Sequence, residues 1–373
     1  MRRLIALIAA MLGFAGAAHA AEPGDRCAAL KGFVWPHLVV EEARLVPAGP
    51  ADVPREAPPG TALPEHCLLR AVISPRTSPA GQRLGVGFEL RLPSDWNGRF
   101  AFEGGGGLDG VQHPAYGAMS GRVNPSALAR GFAVVSSDGG HRGQSMLDAR
   151  FGLDQLARID YAYGAVDKTT LVAKALIQAF YGRAPDRSYF IGCSNGGRQA
   201  LMAAQRLPLE FDGIVAGDPT YRLAWTNVDQ VWNEIVLARA APRGADGKPI
   251  VSRALSEADL NLVADAVLAE CDGKDGLKDG LINDFRACRF DPKVLTCKGA
   301  KTAGCLTPVQ VHALKALMGG PHDSKGKPLY AAFPYDTGVG GAAFRGCTWG
   351  PRRPAAPTPP TPPSAPTPCA TTP

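Results

Sequence analysis

The stretch Ser188-Tyr189-Phe190-Ile191-Gly192-Cys193-Ser194-Asn195-Gly196-Gly197-Arg198-Gln199-Ala200-Leu201 decides how this chain is read. Tyr189, Phe190 and Ile191 suit a buried strand, while Gln199 to Gln205 is rich in helix formers and stops before Pro208. Between them, Gly192-x-Ser194-x-Gly196 has the spacing of a nucleophile elbow. Such a turn is sharp enough to expose one hydroxyl, and its glycines sit where side chains would drive strand and helix apart. An ordinary glycine-rich loop shares this composition but not the strand before it and the helix after it.

Working outward, Leu84, Val86, Phe88, Leu90 and Leu92 alternate with Gly85, Gly87, Glu89 and Arg91, the periodicity of a strand with one face buried. Phe100 to Phe102 leads into four glycines, Gly104 to Gly107, which cannot pack a core and whose use must be close backbone approach. Gly131 to Ser136 is a further apolar run of strand length. Asp167 to Tyr181 has a helical face of Val166, Thr170, Ala173, Ile177 and Phe180 and stops at Gly182. After the elbow, Phe211 to Gly217 supplies the next strand. Strand, helix, strand, helix, strand predicts a parallel sheet with crossover helices, and a serine at a strand's carboxyl end is where such sheets place their chemistry.

Arg2 and Arg3, the apolar run Leu4 to Phe14 and Ala18-His19-Ala20 compose a secretory signal peptide over residues 1–20. No later stretch is long and apolar enough for a bilayer span, so the expected location is secreted or periplasmic. Nine cysteines fit an oxidising compartment, and their odd number leaves at least one without an intramolecular partner. Cys27 and Cys67, the first two, would tie down the proline-rich amino-terminal segment if bridged. The formal charge of +6 falls to +2 without Arg2, Arg3, Arg352 and Arg353. That field is too weak to argue for nucleic acid, and no basic stripe interleaved with aromatics accompanies it.

Beyond Asp218-Pro219 the character changes. Residues 221–345 contain two well-signalled helices. Ser256 to Glu270 opens on Ser256 and Asp259; Thr307 to Met318 has Thr307 as N-cap, Pro308 at its first position, Gln310 closing the box and Gly319 after its end. The expected division is a signal peptide (1–20), an α/β catalytic unit (21–220), a disulfide-stapled lid (221–345) and a tail (346–373). That tail holds ten prolines between residues 351 and 373 and no aliphatic side chain larger than alanine, so it cannot build a core. Its Pro, Ala, Thr and Ser codons share C at the second position, which points to a frameshift or truncation rather than a natural Pro/Thr linker.

Gly192 to Ala200, followed by Phe211 to Gly217, resembles the tannase and feruloyl esterase family of α/β-hydrolases; Ser136 to His141 and Ala179 to Gly182 are similar to further family stretches. The resemblance runs from about Cys27 to Phe344 and implies hydrolysis of aromatic acid esters through an acyl-enzyme on Ser194. A serine needs an imidazole to take its proton and a carboxylate to orient that imidazole. The backbone N–H of Asn195 would be one oxyanion donor, and the glycine run, at Gly105 and Gly106, could supply another or be only a flexible loop. Family members bridge the cysteine of the elbow to one beside the catalytic histidine. In the fold's triad order acid and base follow the serine, yet the downstream histidines here are His312, inside a helix, and His322, in a turn. His141 lies upstream and suits loop organisation. The resemblance implies that further sheet strands bearing acid and base follow the lid, so the carboxyl-terminal part of the sheet, with acid and base, is expected to be missing from this chain, and Cys193 unpaired.

Cys271 to Ile282 places Asp272, Asp275 and Asp279 among glycines. By spacing alone this is either a hard-cation loop or a row of solvated Asp-Gly turns. The resemblance implies a structural calcium ion held by the side chains of Asp272, Asp275 and Asp279 and the carbonyls of Leu277 and Leu281. It also implies bridges Cys271 to Cys288 and Cys297 to Cys305. The expectation is an exported serine esterase acting on feruloyl- or galloyl-type esters, impaired by loss of acid and base. The alternative is a non-catalytic protein binding aromatic ligands, or an inactive remnant. Oligomeric state is not legible.

Overall fold

The alternating residues from Leu84 to Leu92 build one of the two long strands of a seven-stranded sheet. The structure, a computed structural model, describes residues 22–52, 60–79, 81–118, 125–145, 147–341 and 344. The expected signal peptide (1–20) and tail (346–373) lie outside the described residues. Two units divide the chain, Met1–Gly217 and Asp218–Pro373, and each is taken by itself.

In the first unit a short helix α1 (Pro23–Ala29) precedes β1 (Leu38–Val46), a small ribbon of β2 (Gly49–Pro50) and β3 (Ala62–Leu63), β4 (His66–Thr77), β5 (Arg83–Pro93), β6 (Arg99–Glu103) and β7 (Ala133–Ser137). Then come α2 (Gln155–Ile159), a π-helical turn at Asp160–Gly164, α3 (Ala165–Tyr181), β8 (Arg187–Cys193), α4 (Asn195–Arg206) and β9 (Gly213–Gly217). The sheet order is β1-β4-β5-β7-β6-β8-β9. The strands from β1 to β7 pair antiparallel, and β7-β6-β8-β9 pair parallel. The expected parallel sheet is thus the second half of a mixed one, because β4 and β5 are joined by a hairpin-length connection that can only return antiparallel.

Phe88, Leu90, Phe100, Phe102 and Phe190 form the core of this unit with Val172, Leu176, Ile177 and Phe180 of α3. Phe102 and Phe190 stack at 4.9 Å, and Phe211 meets Phe190 edge-on at 5.5 Å. The buried disulfide Cys27–Cys67 fastens α1 to β4.

β5 departs from the expected half-buried strand, since its polar face is buried as well. Arg91, fully buried, donates to Glu89 Oε1 (2.7 Å) and Asp52 Oδ2 (2.9 Å), lies 2.9 Å from His66 Nε2, and stacks 4.7 Å above the Tyr116 ring. Because Arg91 can only donate, His66 accepts on Nε2 and its Nδ1–H donates to the Pro64 carbonyl at 2.7 Å. Burying these charges is tolerable only because each is paired.

The second unit contains α5 (Leu223–Ala240), α6 (Glu257–Cys271) and α7 (Pro308–Gly319). Leu237, Leu260, Val263, Val267, Leu314 and Leu317 pack its core. Capping boxes open α6 at Ser256/Asp259 and α7 at Thr307/Gln310, where the sequence places them. Disulfides Cys271–Cys288 and Cys297–Cys305 close the segment between them.

Candidate active site

β8 delivers Ser194 at its carboxyl end, immediately before α4. Ser194 has φ 58° and ψ −119°, a conformation L-residues avoid, and its N–H donates to the Gly217 carbonyl at 3.0 Å. This is the strained turn the elbow requires. The surrounding glycines are needed for contact. A Cβ on Gly192 would stand 2.4 Å from the Gly196 carbonyl oxygen, and one on Gly196 would stand 2.8 Å from the Gly105 carbonyl oxygen. A Cβ on Gly104 would meet the Gly196 Cα at 2.8 Å. The glycine run after β6 is therefore pressed against the elbow, anchored by the Gly104 N–H to the Ile191 carbonyl at 2.8 Å.

Behind the elbow lies a buried polar cluster. Asn195 donates through Nδ2 to Asp109 Oδ1 and accepts on Oδ1 from the Tyr161 hydroxyl (2.9 Å) and Arg198 Nε (2.7 Å). Gln199 donates to Asp109 Oδ2 at 2.6 Å and accepts the Gly105 N–H at 3.0 Å. Arg198 lies 4.4 Å over the Tyr161 ring, and Tyr161 sits on the π-helical turn, an irregularity that re-aims side chains at such sites. Burial pushes the Asp109 carboxyl up to about 7 against the pull of Arg198, Gln199, Asn195 and His113.

Asp138, after β7, is also buried; its Oδ1 accepts from the Gly87 N–H (3.0 Å) and the Gly140 N–H (2.9 Å). Burial pushes it up to about 8. His141 is fully buried and stacks 3.9 Å from Phe151. Burial pushes its imidazole down to about 4, opposing the pull of Asp148 and the Gly139 backbone, which keeps it neutral and structural.

The structure brings Ser194, Asn195, Gly105 and Gly106 together. Gly105 has its N–H committed to Gln199, so of the two expected loop donors Gly106 is the one whose amide enters no hydrogen bond among the described residues. Cys193 is half-buried and, among the described residues, has no disulfide partner. No histidine bonds to the Ser194 hydroxyl among the described residues; His312 lies on α7 and His322 against Trp232, both in the second unit.

In that unit Asp272 accepts the Gly280 N–H (3.0 Å), Asp275 those of Leu277 (3.1 Å) and Asn283 (2.9 Å), and Asp279 that of Leu281 (3.1 Å). Two of these hydrogen bonds join residues eight apart and fold the loop back on itself. One oxygen of Asp272 and one of Asp279 enter no hydrogen bond among the described residues. The donor set, all oxygen, fits a hard cation in kind; among the described residues no three metal-ligating side chains converge.

The sequence model of the family described as tannase and feruloyl esterase matches residues 71–350. The chain belongs to the tannase and feruloyl esterase family. It is 43% identical over 339 residues to the mono(2-hydroxyethyl) terephthalate hydrolase of Piscinibacter sakaiensis, covering 84% of this chain and 55% of that one. To the probable feruloyl esterase B-2 of Aspergillus flavus it is 35% identical over 269 residues, 71% of this chain and 47% of that one. The crystal structure of feruloyl esterase B from Aspergillus oryzae superposes with a TM-score of 0.70 at 26% identity, covering 89% of this chain and 63% of the other. The chain spans about half the length of the curated relatives it matches.

The elbow and its glycines are legible in the sequence of this tannase-family member; the buried cluster behind them is not. Arg198 and Gln199 stand inside the quoted motif, and Asp109 follows the glycine run within Leu108-Asp109-Gly110. A carboxylate among glycines reads as a surface turn; only the fold turns it inward.

Proposed function

We propose that this chain carries the nucleophile half of an exported serine esterase that cleaves esters of phenolic or other aromatic acids through an acyl-enzyme. The observation that carries the reading is Ser194, held at positive φ between two glycines that admit no side chain. In this reading Oγ attacks the ester carbonyl as a base removes its proton. The amides of Asn195 and Gly106 stabilise the tetrahedral oxyanion, the alcohol leaves with the proton, and water then hydrolyses the acyl-serine. The aromatic acid component is carried over from the names of relatives, a terephthalate monoester hydrolase and feruloyl esterases. The imidazole, its carboxylate and the partner of Cys193 are assigned to the part of the relatives' length that this chain does not span. Export is supported by the amino-terminal leader pattern and three disulfides.

The test joins residues 22–344 to the unspanned portion of the Piscinibacter sakaiensis hydrolase and assays aromatic methyl esters. The chimera is expected to hydrolyse them and to lose that activity on Ser194→Ala. The 373-residue chain alone is expected to give little or none. Activity indifferent to Ser194→Ala overturns the nucleophile, and brisk turnover by the chain alone overturns the assignment of the base elsewhere.

The second unit, in the same reading, holds Ca2+ through Asp272, Asp275 and Asp279 and the carbonyls of Leu277 and Leu281. The ion would fix the loop between Cys271 and Cys288 and take no part in the chemistry. Added Ca2+ at about 100-fold over its dissociation constant should stabilise the unit by about 2.7 kcal/mol. A thermal melt unmoved by Ca2+ or chelator, or a shift that persists in Asp275→Asn, speaks against the site.

A further inference from the structure

The prospective oxyanion donors lie on two separate pieces of chain, the loop after β6 and the first turn of α4, and something must hold them in register. Asp109 touches both. Its Oδ1 accepts from the Asn195 amide and its Oδ2 from Gln199 Nε2 at 2.6 Å, while Gln199 Oε1 takes the Gly105 N–H at 3.0 Å. Its own N–H donates to the Gly106 carbonyl at 2.9 Å. The carboxylate is fitted among backbone: a Cβ on Gly105 would stand 2.9 Å from Oδ1, and one on Gly139 would stand 2.4 Å from Oδ2. Asp109 itself has φ 53°, a left-handed conformation that the packing must maintain.

We propose that Asp109 is a positioning residue, whose two carboxylate oxygens lock the glycine loop to the amino-terminal turn of α4 and so set the spacing of the Gly106 and Asn195 amides. An ionised carboxylate accepts both side-chain amides at once. A protonated one turns one oxygen into a donor facing an N–H and gives up half of the clamp. The clamp is therefore complete when Asp109 is charged. The charged and titratable groups facing it are Arg198 on α4, His113 in the loop beyond the glycine run, Tyr161 on the π-helical turn and Asp138 after β7. Arg198 and a protonated His113 favour the carboxylate; burial opposes it and brings the titration to about 7.

The experiment uses the full chain. The amide resonance of Gly105 is followed by NMR from pH 5 to 9, and the rate at which a fluorophosphonate labels Ser194 is measured in the chimera that restores the base. The Gly105 resonance is expected to titrate near pH 7 and to lose that response in Asp109→Asn. Gln199→Met keeps the carboxylate but cuts its link to the loop, and should abolish the Gly105 response as well. Labelling of Ser194 should fall at least tenfold in Asp109→Asn. A Gly105 resonance that is flat with pH in the unaltered chain, or that titrates unchanged in Gln199→Met, overturns the proposal. The labelling arm alone rests on Ser194 being the nucleophile: no labelling of the chimera counts against that reading, and the resonance arm still decides the role of Asp109.

Discussion

Ser194 keeps its backbone conformation because its neighbours leave no room for another. Gly196 presses on the carbonyl of Gly105, so the elbow and the glycine loop share one van der Waals surface. Gly196→Ala should cost about 1–3 kcal/mol in urea unfolding, as overpacking of a tight interior site does, and a neutral effect would mean the loop yields freely. The buried carboxyls make the second residue-scale prediction. Asp138 and Asp109, raised to about 8 and about 7, bind protons in the folded state that the unfolded chain releases near pH 4. Their contribution is present at low pH and lost as pH rises through 7 to 8. His141, lowered to about 4, works oppositely up to about pH 6.5. The net loss of stability should therefore begin above about pH 4, where two carboxyls outweigh one imidazole, and steepen between about pH 6.5 and 8, and the melting temperature of Asp138→Asn should fall less steeply across the steeper window. An unchanged slope would remove Asp138 as its source.

At the scale of elements, the two capping boxes of the second unit are also bonded to each other. Gln310, the third residue of α7, closes its own box and donates to Asp259 Oδ2 of α6 and to the Ala254 carbonyl, both at 3.1 Å. Asp259 further receives Lys301 Nζ at 2.5 Å. Thr307→Ala should cost about 1 kcal/mol, the ordinary loss of a cap. Gln310→Ala should cost more, because it also leaves Asp259 and the Ala254 carbonyl short of a donor; equal losses in chemical denaturation would mean the cross-links contribute nothing. Both boxes were legible because a cap is a local signal. Asp259's bond to Gln310 was not, since it joins residues 51 apart in the chain.

For the whole molecule, the disulfides act by restricting the unfolded chain, so their value grows with the loop they close. Cys27–Cys67 closes 40 residues and Cys297–Cys305 closes 8. In the chain-entropy account the first contributes about 1.4 kcal/mol more than the second. Replacing each pair by alanine and comparing equilibrium unfolding checks this, and the reverse order would point to packing around the smaller bridge instead. The mixed sheet carries the Ser194 turn at the carboxyl end of β8, within the parallel half, and the antiparallel half contributes the buried Arg91 cluster.

The sequence alone determined the elbow, the strands on either side of it, the capped helices and the family, because each of these rests on residues a few positions apart obeying local stereochemistry. Only the tertiary structure decided that the polar face of β5 is buried, that Gly105 gives its amide to Gln199, and that Asp109 stands under the Ser194 turn. These depend on which distant segments the sheet brings into contact and on the water they exclude. Burial of a charge is a property of that packing, and the residue type does not carry it.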